Sequence, residues 1–402
     1  MTTTERICPP QWPKWPFVDS TDGVLAAMRD VLDSSVWTTR APGREDSATQ
    51  WAEAEIARQF EVRHALLVTS GTVAVELAIR ALDLAPGSKV IVPALGWFAT
   101  AAAVIRAGAI PVFADVSLET SCLDPDSVSR CIDPDVRAIV AVHLHCAVAD
   151  LDNLASIARK HGLELIEDCA QVPGTRYGGK PVGSIGRMGC FSFNQEKLIA
   201  VGEGGCVVTN DGELFQRLYA LRTDGYVNRE THGRAFVPHG SVRGGNACPS
   251  EFSAILVLAQ MKQFPRLNAK RREVAEKLDA QLADIDGVYP LSSSPGTSDR
   301  TWFEYAFRLD LRKFGGRTIR QCGGFLSSEL RLPIHATDEP TQDCPMLHLA
   351  RCGRPTPTAL ALYNTMLVFH HRALLDERIA REFPDALRRL QDESLEARRT
   401  GS

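Results

Sequence analysis

Four short segments carry side chains suited to one kind of chemistry. The first is Ser192-Phe193-Asn194-Gln195-Glu196-Lys197, which follows an apolar run and leads into Gly202-Glu203-Gly204-Gly205. Only nine of the chain's 45 basic residues are lysines, and this one stands apart from any charged helix face. A partly desolvated lysine loses its proton more readily and attacks aldehydes. The second is Glu167-Asp168-Cys169-Ala170-Gln171, after the apolar Leu163–Ile166. A carboxylate at a strand end can ion-pair with a ring nitrogen and hold it protonated. The third, Thr69-Ser70-Gly71-Thr72, joins a strand to a helix, where free N–H groups and the helix dipole favour an anion. The fourth is Trp97, just past a strand ending at Pro93, whose ring could stack on a flat ligand. Taken singly, these are also what a helix cap, a turn, a loop lysine and a core ring look like.

Together the four describe an anion cup, a stacking ring, a carboxylate and a nucleophilic amine, which is the outline of a pyridoxal phosphate pocket. Lys197 is then the residue expected to form the Schiff base. The elements needed to assemble such a pocket are legible. Residues 60–210 alternate between β-branched runs and helical stretches. The strands are expected at Ala65–Thr69, Lys89–Pro93, Ile110–Val116, Arg137–Leu144, Leu163–Glu167, Cys190–Phe193 and Cys206–Asn210. Helices are expected at Gly71–Leu84, Phe98–Ala107, Pro125–Cys131 and Leu151–His161, the last closed by Gly162. Alternation of this kind implies an α/β domain with a mostly parallel sheet covered on both faces, and ligands gather at its carboxyl edge.

Residues 250–285 read as long helical structure interrupted at Pro265. Beyond it the pattern changes to a strand (Trp302–Leu311), a helix (Thr318–Leu330), an irregular Pro- and Cys-containing stretch, a strand (Met366–His370) and an amphipathic helix (Asp376–Leu390). A charged tail after Asp392 is expected to fray. The division is therefore a large domain, residues 1–265, and a smaller α+β domain, residues 266–402. The adjacent His370 and His371 point to opposite faces if both lie in the strand, so at most one faces a site. The Gly-rich stretch Gly178–Gly189 lacks G-x-G-x-x-G and reads as a turn-rich loop rather than a dinucleotide site.

Composition narrows the classes. Net charge is −4 with 44% apolar residues, which asks for neither nucleic acid nor an anionic membrane. The opening MTTTERICPPQWPKWP has no apolar signal region, and a cytoplasmic enzyme is expected. The eleven cysteines are scattered singly from Cys8 to Cys352. Without a C-x-x-C pair they read as small buried residues in a reducing compartment, and no metal is expected.

The segments TSGTVAVELAIRAL, IVPALGWFATAAAV, HLHCAVADLDNL, IEDCAQ, FSFNQEKLIAVGEGGCVVTND and GGNACPSEF resemble, in order and spacing, the DegT/DnrJ/EryC1/StrS family of sugar aminotransferases. The resemblance covers about residues 15–375. It implies the type I fold of pyridoxal phosphate enzymes, with Lys197 as the Schiff-base lysine and Asp168 on the pyridine nitrogen. It further implies Gln171 near the ring hydroxyl, and Ser192, Gly71 and Thr72 at the phosphate. Asn246 would reach the phosphate of the neighbouring subunit, which implies a homodimer with shared sites. The nearest branch resembled is the glutamine:scyllo-inosose (aminocyclitol) aminotransferases of antibiotic biosynthesis, and 3-amino-5-hydroxybenzoate synthase is the next. His145-Cys146 stands where the family usually has an aromatic residue and Gly. Gly96, Ala247 and a shortened stretch at 332–349 also differ. These departures bear on the substrate more than on the cofactor.

The reaction implied is transamination from an amino acid, glutamine by the nearest branch, to a keto-cyclitol or keto-sugar. The absence of a basic run for a diphosphate favours a free cyclitol. A dehydratase/aromatase of the aminobenzoate type, or a regulatory protein that binds the cofactor without turnover, are the competing readings.

Overall fold

The computed structural model describes residues 12–39, 47–227, 237–344 and 355–400. The opening residues with Cys8, the end of the 332–349 stretch, and Cys352 lie outside them. Helices α1 (Thr21–Asp33) and α2 (Ala48–Gln59) lead into strand β1 (His64–Val68). Then come α3 (Gly71–Ala81), β2 (Lys89–Pro93), α4 (Ala99–Arg106), β3 (Ile110–Ala114), α5 (Pro125–Cys131) and β4 (Val136–Val142). The unit closes with α6 (Leu151–His161), β5 (Glu164–Asp168), β6 (Met188–Ser192), β7 (Gly205–Thr209) and α7 (Gly212–Arg222).

The seven strands form one sheet in the order β1-β7-β6-β5-β4-β2-β3. Every neighbouring pair is parallel except those made by β7, which runs against both β1 and β6. The strands are apolar because helices cover both faces. In β4 only Arg137 is exposed. One consequence governs the site. The carboxyl ends Val142, Asp168 and Ser192 share an edge with Val68, and β7 begins there at Gly205, opposite both Val68 and Ser192.

Local signals set the helix ends. The Ser70 hydroxyl accepts from Val73 N to start α3. Asp150 caps α6, and Gly162 closes it in the left-handed conformation (φ 64°), where a Cβ would be strained.

A second core forms after α8 (Glu251–Leu282). Around it lie β8 (Val288–Pro290), β9 (Glu304–Leu309), α9 (Ile319–Leu330), β10 (Ile334–Ala336), β11 (Met366–His370) and α11 (Ile379–Thr400), while α10 (Pro357–Thr365) sets Ala359 and Leu362 in the first core. Its sheet is antiparallel, in the order β8-β9-β11-β10. Tyr305, Phe307, Phe369 and Phe383 pack at its centre. The first half of α8 places Met261 and Phe264 in the large sheet's core, and its second half places Val274 and Leu278 in the second. No helix among the described residues is long and apolar enough to cross a membrane.

Three expectations need correction. Helix α8 runs unbroken through Pro265. Proline has no N–H for the carbonyl four residues back, but the Gln59 side-chain amide donates to that carbonyl, Met261 O, at 3.2 Å. The irregular stretch ends at 356, where Pro357 opens α10 with its fixed φ at the first turn. Helix α11 starts later than expected and continues past Asp392 to Thr400.

The Gln59 bond makes a specific prediction. Gln59→Ala should lower unfolding stability by about 1 kcal/mol, the net value of such a bond. In a Pro265→Ala background, where α8 supplies its own N–H, the same change should cost markedly less. Urea unfolding of the four proteins measures this coupling. Equal costs in both backgrounds would show that Gln59 does not replace the missing donor.

Candidate active site

A cavity of about 470 Å³ opens at the carboxyl edge of the large sheet, between the two cores. Lys197 enters it from a loop that folds back on itself after β6. Gln195 N donates to Gly202 O at 2.8 Å, and Lys197 N to Asn194 O at 2.9 Å. The loop is held from beneath by aromatic donors. Trp15 Nε1 donates to Lys197 O at 3.1 Å. His370 and His371 both point Nε2 at Glu196 O, at 3.0 and 3.1 Å. The two rings thus point the same way, not to opposite faces as strand alternation predicts, and neither lines the cavity, so at most one facing the site still holds. His370 ends β11 and His371 begins a 3-10 turn, so strand alternation stops between them and their ring centroids lie 4.0 Å apart. Burial, with Arg271 nearby, pushes His371 well below the usual imidazole range. It is a neutral ring donating from Nε2.

The Lys197 amine lies 3.8 Å from the Phe303 ring centroid. Burial lowers its proton affinity, against the opposing pull of Glu304 and Asp168. Asp168, the last residue of β5, is buried and well oriented. Its Oδ2 accepts from Thr100 Oγ1 at 2.8 Å, and its Oδ1 from Ala170 N at 3.2 Å.

Gly71, Thr72 and Ser192 meet at one end of the cavity. The N–H groups of Gly71 and Thr72 open α3 and have no acceptor within the helix. A Cβ on Gly71 would lie 2.6 Å from Ser192 Cβ, and one on Gly205 would lie 2.4 Å from the Ser70 carbonyl. Only glycine lets α3 and β7 approach so closely. Trp97 lies on the rim, 62% exposed. Gln171 Oε1 accepts from His145 N at 2.5 Å. Asn246 is not part of its own chain's cavity. It bridges to Thr223, and its Oδ1 accepts from Cys248 N at 3.3 Å.

The wall facing these residues went unread in the sequence. It carries Phe303, Glu304, His335 and Asp338 from the second core. His145 Nδ1 meets Glu304 Oε2 at 2.8 Å, and its Nε2 meets Thr337 Oγ1 at 2.7 Å. The one signal was the unusual His145-Cys146 pair. Both residues are left-handed (φ 49° and 65°), a conformation that favours Gly. Cys146 is tied in place by Phe303 N, which donates to its Sγ at 2.8 Å.

Glu167, beside Asp168, has a separate duty. It accepts from Gly183, Ile185 and Gly186 N at 2.6–2.8 Å, so the Gly-rich loop wraps a buried carboxylate. His143, Glu167 and Cys169 cluster closely enough for a metal, but these three N–H donors already occupy both Glu167 oxygens.

The arrangement suits a flat ligand with an anionic group in the cup and an aldehyde at the amine. Comparison with known proteins agrees. The sequence profile of the DegT/DnrJ/EryC1/StrS aminotransferase family matches residues 19–378. The chain is similar to the L-glutamine:2-deoxy-scyllo-inosose aminotransferase of Streptomyces kanamyceticus, at 37% identity over 93% of this chain and 92% of that protein. It is similar to the L-glutamine:scyllo-inosose aminotransferase of Streptomyces griseus, at 37% identity over 85% and 81%. Among solved structures, 3-amino-5-hydroxybenzoic acid synthase superposes with a TM-score of 0.81 at 30% identity, covering 94% of this chain and 99% of that one. The fold is thus the type I aminotransferase fold.

A lowered proton affinity at Lys197 means its reactive free amine forms at lower pH than at ordinary lysines. Lys89, Lys277 and Lys313 shift the other way, through their carboxylate partners. Trace acylation of the cofactor-free protein across pH, read peptide by peptide in a mass spectrometer, should show Lys197 labelling at lower pH than these three. Labelling of Lys197 at the same pH as Lys277, or higher, would contradict the desolvated amine.

Proposed function

The chain belongs to the DegT/DnrJ/EryC1/StrS aminotransferase family, and from that premise we propose that it moves the amino group of L-glutamine onto the ketone of a cyclitol. Pyridoxal phosphate is the cofactor of this reading, held at Lys197. The observation that carries it is the Lys197 amine, desolvated and sharing one cavity with a buried Asp168 and a cup of Gly71, Thr72 and Ser192. The cup fits a phosphate. Among the described residues its N–H groups take no acceptor and the Ser192 hydroxyl accepts only a long 3.4 Å bond from Asn194 N, while no side chain fits at Gly71. The substrate class follows the relatives named above.

When bound, the cofactor supplies an aldehyde for the amine and a ring able to accept an electron pair. The rest falls to this chain's residues. Asp168, fixed by Thr100 and Ala170, stands as the carboxylate for the ring nitrogen. Gln171 would face the ring hydroxyl, and Trp97 would cover a ring face. Lys197 Nζ, once free, takes the proton from the donor's α-carbon. In the second half-reaction it returns a proton to the acceptor carbon that receives the amine. The donor leaves as its 2-oxo acid and the ketone as an amine.

In this reading residues 1–265 hold the cofactor, residues 266–402 close over the substrate, and the enzyme works in the cytoplasm. Asn246 serves the partner copy's phosphate, so two chains share two sites. Its position outside its own chain's cavity supports that role.

Lys197→Ala should lose both the visible absorbance of the loaded protein and 2-oxo acid release from glutamine. Asp168→Asn should fold normally by circular dichroism, yet lose about a hundredfold or more in the chemical step, the scale for removing a charge-stabilising group. Turnover in the first variant, or near-normal turnover in the second, would refute these roles.

A further inference from the structure

The cavity carries carboxylates on both walls, Asp168, Glu196 and Glu203 on the sheet-edge side and Glu304 and Asp338 on the facing side. Glu304 and Asp338 reach it from the second core, and Lys197 is the one Lys or Arg lining it among the described residues. Resting on the cyclitol reading above, we propose that Glu304, with Asp338 beside it, determines acceptor specificity by accepting hydrogen bonds from hydroxyl groups of a neutral polyol and rejecting phosphorylated or nucleotide-linked ketones.

Glu304 is built for this. Its Oε2 is committed to His145 Nδ1. Its Oε1 takes no bond from the described residues. A carboxylate oxygen must accept, so His145 donates from Nδ1. The Thr337 hydroxyl at Nε2 can donate or accept, and it suits a neutral ring or a cationic one. Burial disfavours the Glu304 charge, yet the His145 bond, the His145 charge and Lys197 outweigh it and leave the carboxyl below its usual range. The anion therefore persists in the cavity.

His145 is itself immobile. Its backbone N–H bonds to Gln171 Oε1, and its left-handed backbone aims the ring away from β4 and toward β9. Next to it, Arg300 Nε donates to Cys146 O at 2.8 Å, and Phe303 N donates to Cys146 Sγ. These bonds tie the turn at 144–146 to the segment that carries Glu304. One hydrogen-bonded chain, Gln171 to His145 to Glu304, links the expected cofactor side to the facing wall. Glu304 thus stands at a fixed place relative to the Lys197 amine.

An ionised Glu304 presents several acceptor sites and no donor, while burial and the Glu304 charge raise the proton affinity of Asp338 and make it the weaker acceptor. Hydroxyls on the carbons flanking a ring ketone supply the matching donors. Phosphate oxygens supply no proton to share at neutral pH and bring like charge.

The test uses the loaded enzyme and three readouts. Calorimetric binding of myo-inositol, a polyol that cannot react, should be detectable in the wild type. It should weaken about tenfold or more in Glu304→Gln, the scale for a hydrogen bond to a charged group. Asp338→Asn should weaken it less. UDP-glucose should not bind. The KM for scyllo-inosose should rise in parallel, by a larger factor than any change in 2-oxo acid release from glutamine alone, to which Glu304 contributes only through its charge near Lys197. His145→Gln, which unties Glu304 without removing it, should raise the same KM. If Glu304→Gln does not fold, Glu304→Asp, which draws the carboxylate back by one methylene, should give the same weakening. Unchanged inositol affinity in either Glu304 variant, or tighter binding of UDP-glucose than of inositol, overturns the proposal. Failure of glutamine to release a 2-oxo acid would instead strike the transaminase reading, and the inositol measurement would still decide the subsite.

Discussion

The site depends on keeping one amine out of water without giving it a bonded anion. A lysine that forms a close salt bridge is held protonated and unreactive, as Lys277 is by Glu273. Lys197 instead lies over the Phe303 ring, and the carboxylates near it are engaged elsewhere, Asp168 with Thr100 and Glu304 with His145. The cost of drawing this side chain inward is met by its backbone. The carbonyls of Glu196 and Lys197 receive three ring N–H donors from Trp15, His370 and His371. Those donors belong to the chain's opening segment and the end of β11, so the loop is locked only once both cores have formed. Neutral imidazoles are essential here, since each must donate from Nε2 without adding charge beneath the amine. Burial lowers the proton affinity of both histidines.

The wall proposed to carry the chemistry was readable in the sequence because it is contiguous in kind. Each of its motifs terminates an apolar strand, and a strand buried on both faces announces itself as a short β-branched run. Asp168 and Ser192 then fall on one edge by the parallel register. Gly71 joins them because β7 reverses direction and begins beside Ser192. Glu304 offered no such signal. It opens a mostly buried strand of the antiparallel sheet, and nothing local distinguishes it from a solvated strand-end carboxylate. Its partner His145 lies 159 positions away in sequence. The trace that did exist was conformational. A histidine and a cysteine both hold the left-handed region (φ 49° and 65°), the cysteine where the family usually has glycine, and such a pair persists only where surrounding bonds hold it. Pro265 shows the opposite limit. Proline is a sound reason to end a helix, but the sequence does not reveal that Gln59, on another helix, will supply the missing donor.

The two walls also differ in how freely they can vary. The sheet edge positions Lys197, Asp168 and the cup through backbone register and close glycine contacts, so a change there disturbs the sheet itself. The facing wall is carried by Phe303–Glu304 and by the segment from His335 to Asp338. These enter the cavity from a separate antiparallel sheet and are joined to the first by the turn at 144–146. Side chains on that wall can be exchanged without moving the amine. On the proposed roles, reaction type and substrate choice fall to different cores of one molecule.

The central claim is that Lys197 is the amine that binds the cofactor's aldehyde. It is tested most directly by loading the purified protein with pyridoxal phosphate, reducing it with borohydride, digesting it and locating the added mass. One adduct per chain is expected, on the peptide containing Lys197, and none on the other lysines. An adduct on Lys89 or Lys180 with Lys197 unmodified would contradict it.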